Sequence, residues 1–324
     1  MTVLVTGGAG YIGAHVVRLL LERGESVVVV DNLSTGRAER VAGAQMVGLD
    51  LAAPQAQDRL EGLIQENSVD SVIHLAALKQ VGESVADPLL YYRTNVGSTT
   101  ALLAAMERTG VRRLVFSSSA AAYGVPEVTI VDESTPCRPI NPYGETKLIG
   151  EWMTAACAKA WGLRAVNLRY FNVAGAASAD LADPAALNLV PIAIGQILAG
   201  RSPVVFGSDY DTPDGTCIRD YVHISDLADA HLAALDSTAG SGPLESVLNV
   251  GTGAGASVLE VLEMLRRVSG RTVDAEIADR RPGDPPQLIA DVARIQHALG
   301  WQAKRNLEDI VTSAWEAELA NRSK

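Results

Sequence analysis

Lysine is scarce in this 324-residue chain, with only five (79, 147, 159, 304 and 324), and the 38 acidic residues give a formal net charge of −11. So acidic a chain offers no continuous basic surface, which argues against nucleic acid as a partner. A phosphate-bearing small molecule is still allowed, because a few local cations and helix N-termini can hold one. The three cysteines, Cys137, Cys157 and Cys217, are odd in number and widely spaced. No disulfide framework is expected from them, only reduced and mostly buried thiols. The five histidines fall at no metal-ligand spacing, so no metal is expected and His223 and His231 read as ordinary residues. Long apolar runs are missing too: the longest candidate, LNLVPIAIGQILAG (187–200), is too short for a membrane helix and contains Asn, Pro and Gln. No basic leader precedes the first strand-like run. These absences predict a soluble, cytoplasmic protein with no membrane contact.

A hydrophobic content of 48% against 20% charged describes a chain with a sizeable core. The length suits two domains, or one with an elaborated second lobe. The first half alternates short apolar runs with helical patterns. TVLVT (2–6), SVVVVD (26–31), SVIHLAA (71–77), RRLVFSSS (112–119) and LRAVNLRYFN (163–172) read as strands. Helices are expected directly after TVLVT's glycine-rich turn, around 89–109 and around 142–161. Apolar strands separated by helices imply a parallel sheet covered on both faces. The fold class is therefore α/β: a Rossmann-type doubly wound parallel sheet with a smaller mixed α/β C-terminal substrate lobe. Beyond residue 175 the pattern loosens and regains regularity at 222–236 and 257–270. The expected division is 1–175 plus 218–250 for the nucleotide-binding domain and 176–217 plus 251–324 for the second lobe.

TGGAGYIG (6–13) lies between the first strand and the first helix. It satisfies G-x-x-G-x-x-G through Gly7, Gly10 and Gly13, and G-x-G-x-x-G through Gly8, Gly10 and Gly13. Glycine allows a tight turn and a close approach of backbone N–H groups to a pyrophosphate, at a helix N-terminus that carries partial positive charge. Asp31 ends the second strand 18 residues after Gly13. A carboxylate there binds ribose hydroxyls and repels a 2′-phosphate, which favours NAD over NADP despite nearby Arg37. Asp50 falls where an adenine contact is plausible, although a loop carboxylate is nearly as good a reading. The second glycine cluster, GTGAGAS (251–257), lacks a downstream acidic partner and reads as a turn.

Random placement of eight tyrosines and five lysines would give about 0.12 Y-x-x-x-K matches, so the pair in NPYGETK (141–147) is a weak signal alone. Its setting strengthens it. Asn141 can cap a helix whose first position is Pro142, and Tyr143 and Lys147 then share one face. SSSAAAYG (117–124) closes a strand, at the sheet edge where ligands of open α/β folds bind.

The order of glycine loop, acidic strand end, serine run and Y-x-x-x-K resembles the extended short-chain dehydrogenase/reductase family. DNLSTG, IHLAALKQVGESV, NVGST, PYGETK, LRYFNVAGA, DGTCIRDYVH and RRPGD narrow the likeness to its UDP-glucose 4-epimerases, from residue 1 to about 315. The resemblance implies Ser119, Tyr143 and Lys147 as catalytic residues and NAD as a tightly bound cofactor. It implies cofactor contacts from Gly7, Gly10, Tyr11, Ile12, Gly13, Asp31, Asn32, Asp50, Leu51, Leu75, Ala76, Ala77, Lys79, Asn95, Ser117, Tyr143, Lys147, Tyr170 and Phe171. For a UDP-sugar substrate it implies Lys79, Ser119, Tyr143, Asn172, Asn188, Leu189, Phe206, Arg219, Tyr221, Val258, Arg281, Asp284 and Leu288. A homodimer formed through helices of the NAD domain is implied as well.

Within that family, dehydratases carry Asp and Glu after the catalytic hydroxyl, and decarboxylases keep the second carboxylate. Here Ala120 and Ala121 stand there and cannot transfer protons. Leu288 takes a position often held by a bulky tyrosine at the hexose pocket; loss of the phenol either opens room for a 2-acetamido group or leaves the leucine to pack elsewhere. For Tyr143 to act as a base near neutral pH, its pKa of about 10 must fall by roughly 3 units, or about 4 kcal/mol. A single cation about 6 Å away supplies around 2.8 kcal/mol at an effective dielectric constant near 20. Lys147 alone falls short, and the positive nicotinamide ring is expected to supply the rest.

Overall fold

The structure, a computed structural model, describes residues 1–183, 185, 188–281 and 283–323; Pro282 of the RRPGD motif lies outside them. In chain order the first elements are β1 (Thr2–Thr6), α1 (Tyr11–Glu22), β2 (Ser26–Asp31), β3 (Gln45–Gly48), α2 (Ala56–Glu66), β4 (Ser71–His74), α3 (Val81–Ala86) and α4 (Pro88–Tyr91). There follow α5 (Gly97–Thr109), β5 (Arg113–Ser119), β6 (Ile130–Val131), α6 (Pro142–Trp161), β7 (Arg164–Tyr170) and β8 (Asn172–Ala174). Next are α7 (Leu189–Leu198), β9 (Val204–Phe206), β10 (Ile218–His223), α8 (Ile224–Ser237), β11 (Val247–Val250) and β12 (Gly255–Ser257). The chain closes with α9 (Val258–Ser269), β13 (Glu276–Ala278), β14 (Gln287–Ala290), α10 (Ala293–Leu299) and α11 (Leu307–Arg322). It divides into two compact units: Met1–Gly124 with Cys137–Arg169 and Ala228–Leu248, and Val125–Pro136 with Tyr170–Leu227 and Asn249–Lys324.

The first unit holds a seven-stranded sheet in the order β3-β2-β1-β4-β5-β7-β11. Strands β1, β2, β3, β4 and β5 pair in parallel, with Thr6 opposite both Val30 and His74 and with His74 opposite Phe116. Their C-terminal ends therefore lie along one edge, and the chain reverses outward from β1 on the way to each flank. The apolar runs are consecutive because both faces are covered: Val3, Leu4 and Val5 are all fully buried. Leu4, Val30, Leu60, Leu102 and Leu114 belong to one core, each contributing about 1.5–3 kcal/mol by burial.

Three segments differ from the sequence expectation. SVIHLAA stops pairing at His74, because its neighbour β1 ends at Thr6 and Leu75 N–H takes the last carbonyl there, at 3.0 Å. The helix expected around 89–109 is interrupted by one π-helical turn, Tyr92–Val96, which carries Asn95. LRAVNLRYFN is two strands, not one: β7 stays in the first sheet, while β8 pairs with β10 in the second.

In the second unit, a sheet runs β12-β10-β14-β6 with β8 also on β10, and β9 pairs with β13. Strand β10, inside the stretch 218–250, thus belongs to this sheet, while residues from Ala228 to Leu248 belong to the first unit. Val190, Ile194, Val261, Leu265, Ile310 and Trp315 form its core. Helices α9 and α11 start from reciprocal capping boxes, Ser257 with Glu260 and Asn306 with Asp309.

The second glycine cluster has a structural task. Buried Asp220 accepts from Thr252 N–H (2.8 Å), the Thr252 hydroxyl (2.8 Å), Gly253 N–H (2.9 Å) and Ala290 N–H (3.2 Å). A Cβ on Gly251 would stand 2.5 Å from that carboxylate, and Gly253 has φ +74°. The turn reading of GTGAGAS holds for 251–254, which wrap a carboxylate, whereas Gly255–Ser257 form β12, paired antiparallel with β10. His223 is likewise structural: Nδ1 accepts from Ser225 N–H at 3.0 Å and Nε2 meets Ser313 Oγ at 2.9 Å. Burial pulls its pKa down to about 4, with Arg305 adding to the effect, so the ring is neutral at pH 7.

Candidate active site

The glycine loop joins the C-terminal end of β1 to α1, and its glycines are required by contact. Gly7 has φ +69°, and a Cβ there would meet Ala76 N at 2.6 Å; on Gly13 it would meet Gly7 O at 2.2 Å. Gly10 is the N-cap of α1 and supplies no side-chain cap, so first-turn N–H groups stay available to an anion. Tyr11 and Ile12 open that helix, with Tyr11 buried. Asp31 ends β2 and is itself buried, accepting from Ala9 N–H in the loop at 3.0 Å and from Leu33 N–H at 2.8 Å. One carboxylate thus fixes the loop and retains lone pairs for ribose hydroxyls. Asn32 caps Ser34 N–H at 3.0 Å. Asp50 follows β3 on the same edge, exposed and accepting from Ala52 N–H at 2.9 Å, with Leu51 buried beside it. A cradle that a single Cβ would fill, uncapped helical N–H groups and a buried strand-end carboxylate fit a dinucleotide.

The loop after β4 adds Leu75, Ala76 and Ala77 to this edge. His74 closes that strand with Nδ1 2.6 Å from Thr6 Oγ1 and Nε2 3.2 Å from Thr99 Oγ1. Burial, reinforced by Lys147, lowers its pKa to about 3, so it stays neutral and structural. Asn95 accepts from Leu78 N–H (2.8 Å) and donates to Leu78 O (3.0 Å) and Thr146 Oγ1 (3.0 Å). Asn95 therefore ties the loop containing Lys79 to α6. Lys79 is exposed, its Nζ 6.0 Å from the centroid of the Tyr11 ring.

Helix α6 begins as its sequence dictates. The Asn141 side chain accepts from Gly144 N–H at 2.8 Å, Pro142 takes the first turn, and Gly162 closes the helix at φ 76°. This places Tyr143 and Lys147 on a buried stripe facing the end of β5. Ser119 Oγ accepts from Ala121 N–H at 3.2 Å. Burial pushes the Tyr143 pKa up, and the nearby Ser119 side chain opposes it by favouring the phenolate. Lys147 Nζ donates to Ser117 O at 2.8 Å and lies 5.8 Å from the Tyr143 ring centroid; burial lowers its pKa to about 8. Ser117 Oγ pairs with His231 Nε2 at 3.1 Å, so Ser117 presents its carbonyl to Lys147. Ala120 and Ala121 start the turn after Ser119 and bring no carboxylate to the cluster.

The remaining site residues expected from the sequence belong to the second unit. Tyr170 and Phe171 lead into β8, where Asn172 is paired with Tyr221 of β10. Asn188 precedes α7, which Leu189 begins, and its amide donates to Val173 O at 3.3 Å. Arg219 donates to Pro285 O at 2.8 Å and pairs with Asp284 at 3.5 Å; it stands opposite Leu288 of β14. Tyr221 is buried, and burial raises its pKa. The Arg281 guanidinium stacks 3.8 Å from the Phe206 ring centroid. Arg219, Asp284 and Leu288 form one group and Phe206 with Arg281 another. Val258 begins α9 and packs against the core of its unit.

Sequence reasoning passed over the supports of the cluster: Thr6, His74, Ser118, Glu151, Arg169 and His231. The available signal was spacing, since Glu151 extends the 143–147 stripe by four residues.

Among known proteins, the model of the NAD dependent epimerase/dehydratase family matches residues 3–251. The UDP-glucose 4-epimerase of Azospirillum brasilense is 50% identical over 326 residues, covering 98% of this chain and 92% of that one. The crystal structure of UDP-glucose 4-epimerase from Brucella ovis in complex with NAD superposes with a TM-score of 0.92 at 44% identity, covering 97% of each chain. That of Bifidobacterium longum in complex with NAD+ and UDP gives 0.90 at 38% identity, covering 99% of each. With the glycine loop, Asp31 and the Ser119–Tyr143–Lys147 cluster in place on one sheet edge, this chain belongs to the NAD-dependent epimerase/dehydratase family.

Proposed function

We propose that this chain interconverts UDP-glucose and UDP-galactose by reversible oxidation at C4, using tightly held NAD. The observation that carries the reading is the meeting of Ser119 at the end of β5 with buried Tyr143 and Lys147 at the start of α6, on the sheet edge of the glycine loop. Bound in its oxidised form, NAD supplies the two-electron acceptor for the C4 hydrogen and a positive charge near the phenol. Tyr143 takes the proton from the sugar O4 and returns it after the 4-keto sugar has turned in its pocket. Ser119 holds O4, and Lys147 holds the nicotinamide ribose and supplies positive charge. Gly7, Gly10, Gly13 and Asp31 hold the pyrophosphate and ribose. The UDP-sugar is assigned to Lys79, Asn172, Asn188, Leu189, Phe206, Arg219, Tyr221, Val258, Arg281 and Asp284; guanidinium groups suit its diphosphate.

Net redox change is zero, so no second substrate is consumed. Purified protein given UDP-galactose and no added NAD should form UDP-glucose. Strict dependence on stoichiometric added NAD would instead identify an ordinary dehydrogenase, and no conversion of any UDP-sugar a non-catalytic NAD-binding regulator. One position favours a second substrate. Leu288 is buried in β14, opposite Arg219, without the phenol of a tyrosine. Including UDP-N-acetylglucosamine, a UDP-uronate and a UDP-pentose in the same assay tests this. Turnover of the acetylated sugar is expected, and undetectable turnover beside robust UDP-glucose conversion would refute the relaxed specificity.

The working form we assign is a cytoplasmic homodimer. No helix among the described residues is long and apolar enough to cross a membrane. Val85, Leu89 and Trp152 are 63%, 68% and 63% exposed on α3, α4 and α6, elements packed against each other, and this apolar surface suits a second copy. Sedimentation should give twice the mass of the chain, falling to the single mass in a Leu89→Glu/Trp152→Glu variant; a monomeric wild-type protein would refute the assignment.

A further inference from the structure

Three consecutive serines end β5, and each is held by a different buried group. Ser117 offers its carbonyl to Lys147, and the Ser119 side chain lies near enough to the Tyr143 phenol to favour its phenolate. Between them, the Ser118 hydroxyl donates to Glu151 Oε1. Tyr143, Lys147 and Glu151 follow one another at four-residue spacing on α6, so one helical stripe meets the strand residues one for one.

Glu151 is only 4% exposed and is paired with Arg169, itself 5% exposed. Arg169 Nε donates to Oε1 at 2.9 Å and Nη2 to Oε2 at 2.6 Å, a two-pronged contact. Burial opposes the guanidinium's charge, yet the bond and charge of Glu151 outweigh it and hold Arg169 above its usual pKa range. The same guanidinium lies 4.8 Å from the ring centroid of Tyr123, which is fully buried and ends the 3₁₀ turn Ala120–Tyr123. One ion pair therefore touches the chain on both sides of Ser119: at Ser118 just before it and at Tyr123 four residues after. Neither side chain reaches Ser119 itself.

A buried ion pair is a poor stabiliser, since desolvating two charges offsets most of their attraction. An apolar pair of similar volume would fill this space at a modest loss of stability, chiefly from the Ser118 hydroxyl left without its acceptor. Fixing geometry is a better use for it, because misplacement by about 1 Å of a group acting on a reacting atom costs up to about 10²-fold in rate. We propose that Glu151 and Arg169 are positioning residues which, through Ser118 and Tyr123, hold Ser119 in register with the Tyr143 phenol. This rests on the roles given above to Ser119 and Tyr143. Loosening the clamp lets the Ser119 hydroxyl drift from the phenol whose charged form it favours, so both kcat and the phenol's titration should respond. The other titratable groups nearby are Lys147 on the same helix, Tyr91 on α4, His74 facing Lys147 from β4, and Cys137 beside Arg169 and Glu151.

Two variants test it. Glu151→Met/Arg169→Met removes both buried charges together, and Ser118→Ala removes one hydroxyl and keeps the pair. Each should keep its bound NAD and a melting temperature near wild type. Each should lower kcat about 10-fold or more with KM changed less than about 2-fold. The Tyr143 titration, read as the tyrosinate ultraviolet difference against Tyr143→Phe, should move to higher pH, and the acid limb of kcat with it. Should the double variant not fold, Ser118→Ala decides alone. Wild-type kcat, or a lowered kcat with the titration unmoved, overturns the proposal. Full activity of Tyr143→Phe would instead overturn the assignment of Tyr143 on which it stands.

Discussion

Tyr143→Phe is expected to lower epimerase turnover by between roughly 10²- and 10⁴-fold, the range for losing a positioned acid–base group, while bound NAD is retained. The substitution removes one oxygen and keeps the ring, which is only 8% exposed. Its structural effect is small, on the order of 1 kcal/mol for one hydroxyl, and Ser119 keeps its bond from Ala121 N–H. The glycine loop and Asp31 do not touch the phenol, so cofactor content should match wild type. The nearby histidine and carboxylate are already engaged. His74 has both nitrogens engaged by threonines, Glu151 is occupied by Arg169 and Ser118, and the two positions after Ser119 are alanines. In this structure Tyr143 is raised, not lowered, by its surroundings, as expected if Lys147 alone cannot make it a base. Cofactor content by extraction, together with kcat, checks the prediction. Full activity with bound NAD would refute it.

Elements with strong local signals were legible in the sequence. VLVT and SVVVVD are apolar on both faces and bounded by glycine turns, and α6 carries Asn141 and Pro142 at one end and Gly162 at the other. Strand–helix alternation implied a parallel sheet covered on both faces, while the strand order β3-β2-β1-β4-β5 comes from the pairing itself. Strand β3 and helix α2 escaped notice, because β3 has no buried residue and α2 is mostly polar. The break between β7 and β8 was also hidden: LRAVNLRYFN is continuous in composition, and only pairing with β10 divides it. At the site, spacing singled out the Tyr143/Lys147 pair and the serine run, and the family resemblance implied which serine joins them. What holds them was not legible, since Ser118, Glu151, Arg169 and His231 lie far apart in sequence and meet only through packing.

Gly13→Ala, a single added methyl, should abolish bound NAD and with it activity. Its Cβ would sit 2.2 Å from Gly7 O, 2.6 Å from Gly8 Cα and 2.8 Å from Gly8 C, all backbone, so no side chain can swing aside. Relief requires α1 to move away from the loop, yet both are anchored. Gly7 N–H donates to Val30 O at 2.7 Å, Ala14 N–H to Gly10 O at 3.0 Å and Ala9 N–H to Asp31 at 3.0 Å. Whichever contact yields, the uncapped N–H groups at the start of α1 turn away from a pyrophosphate, or Asp31 loses its place. Overpacking of this kind costs typically 1–3 kcal/mol, so the protein is expected to fold with a lowered melting temperature. Gly62→Ala in α2 is the control: its nearest neighbour is a flexible Glu66 oxygen at 3.9 Å, and alanine favours a helix by about 1 kcal/mol. NAD content per chain separates the two, near zero for Gly13→Ala and unchanged for Gly62→Ala. Full cofactor occupancy in Gly13→Ala would mean that the pyrophosphate is not held by this loop, and the assignment of Gly7, Gly10 and Gly13 would fall with it.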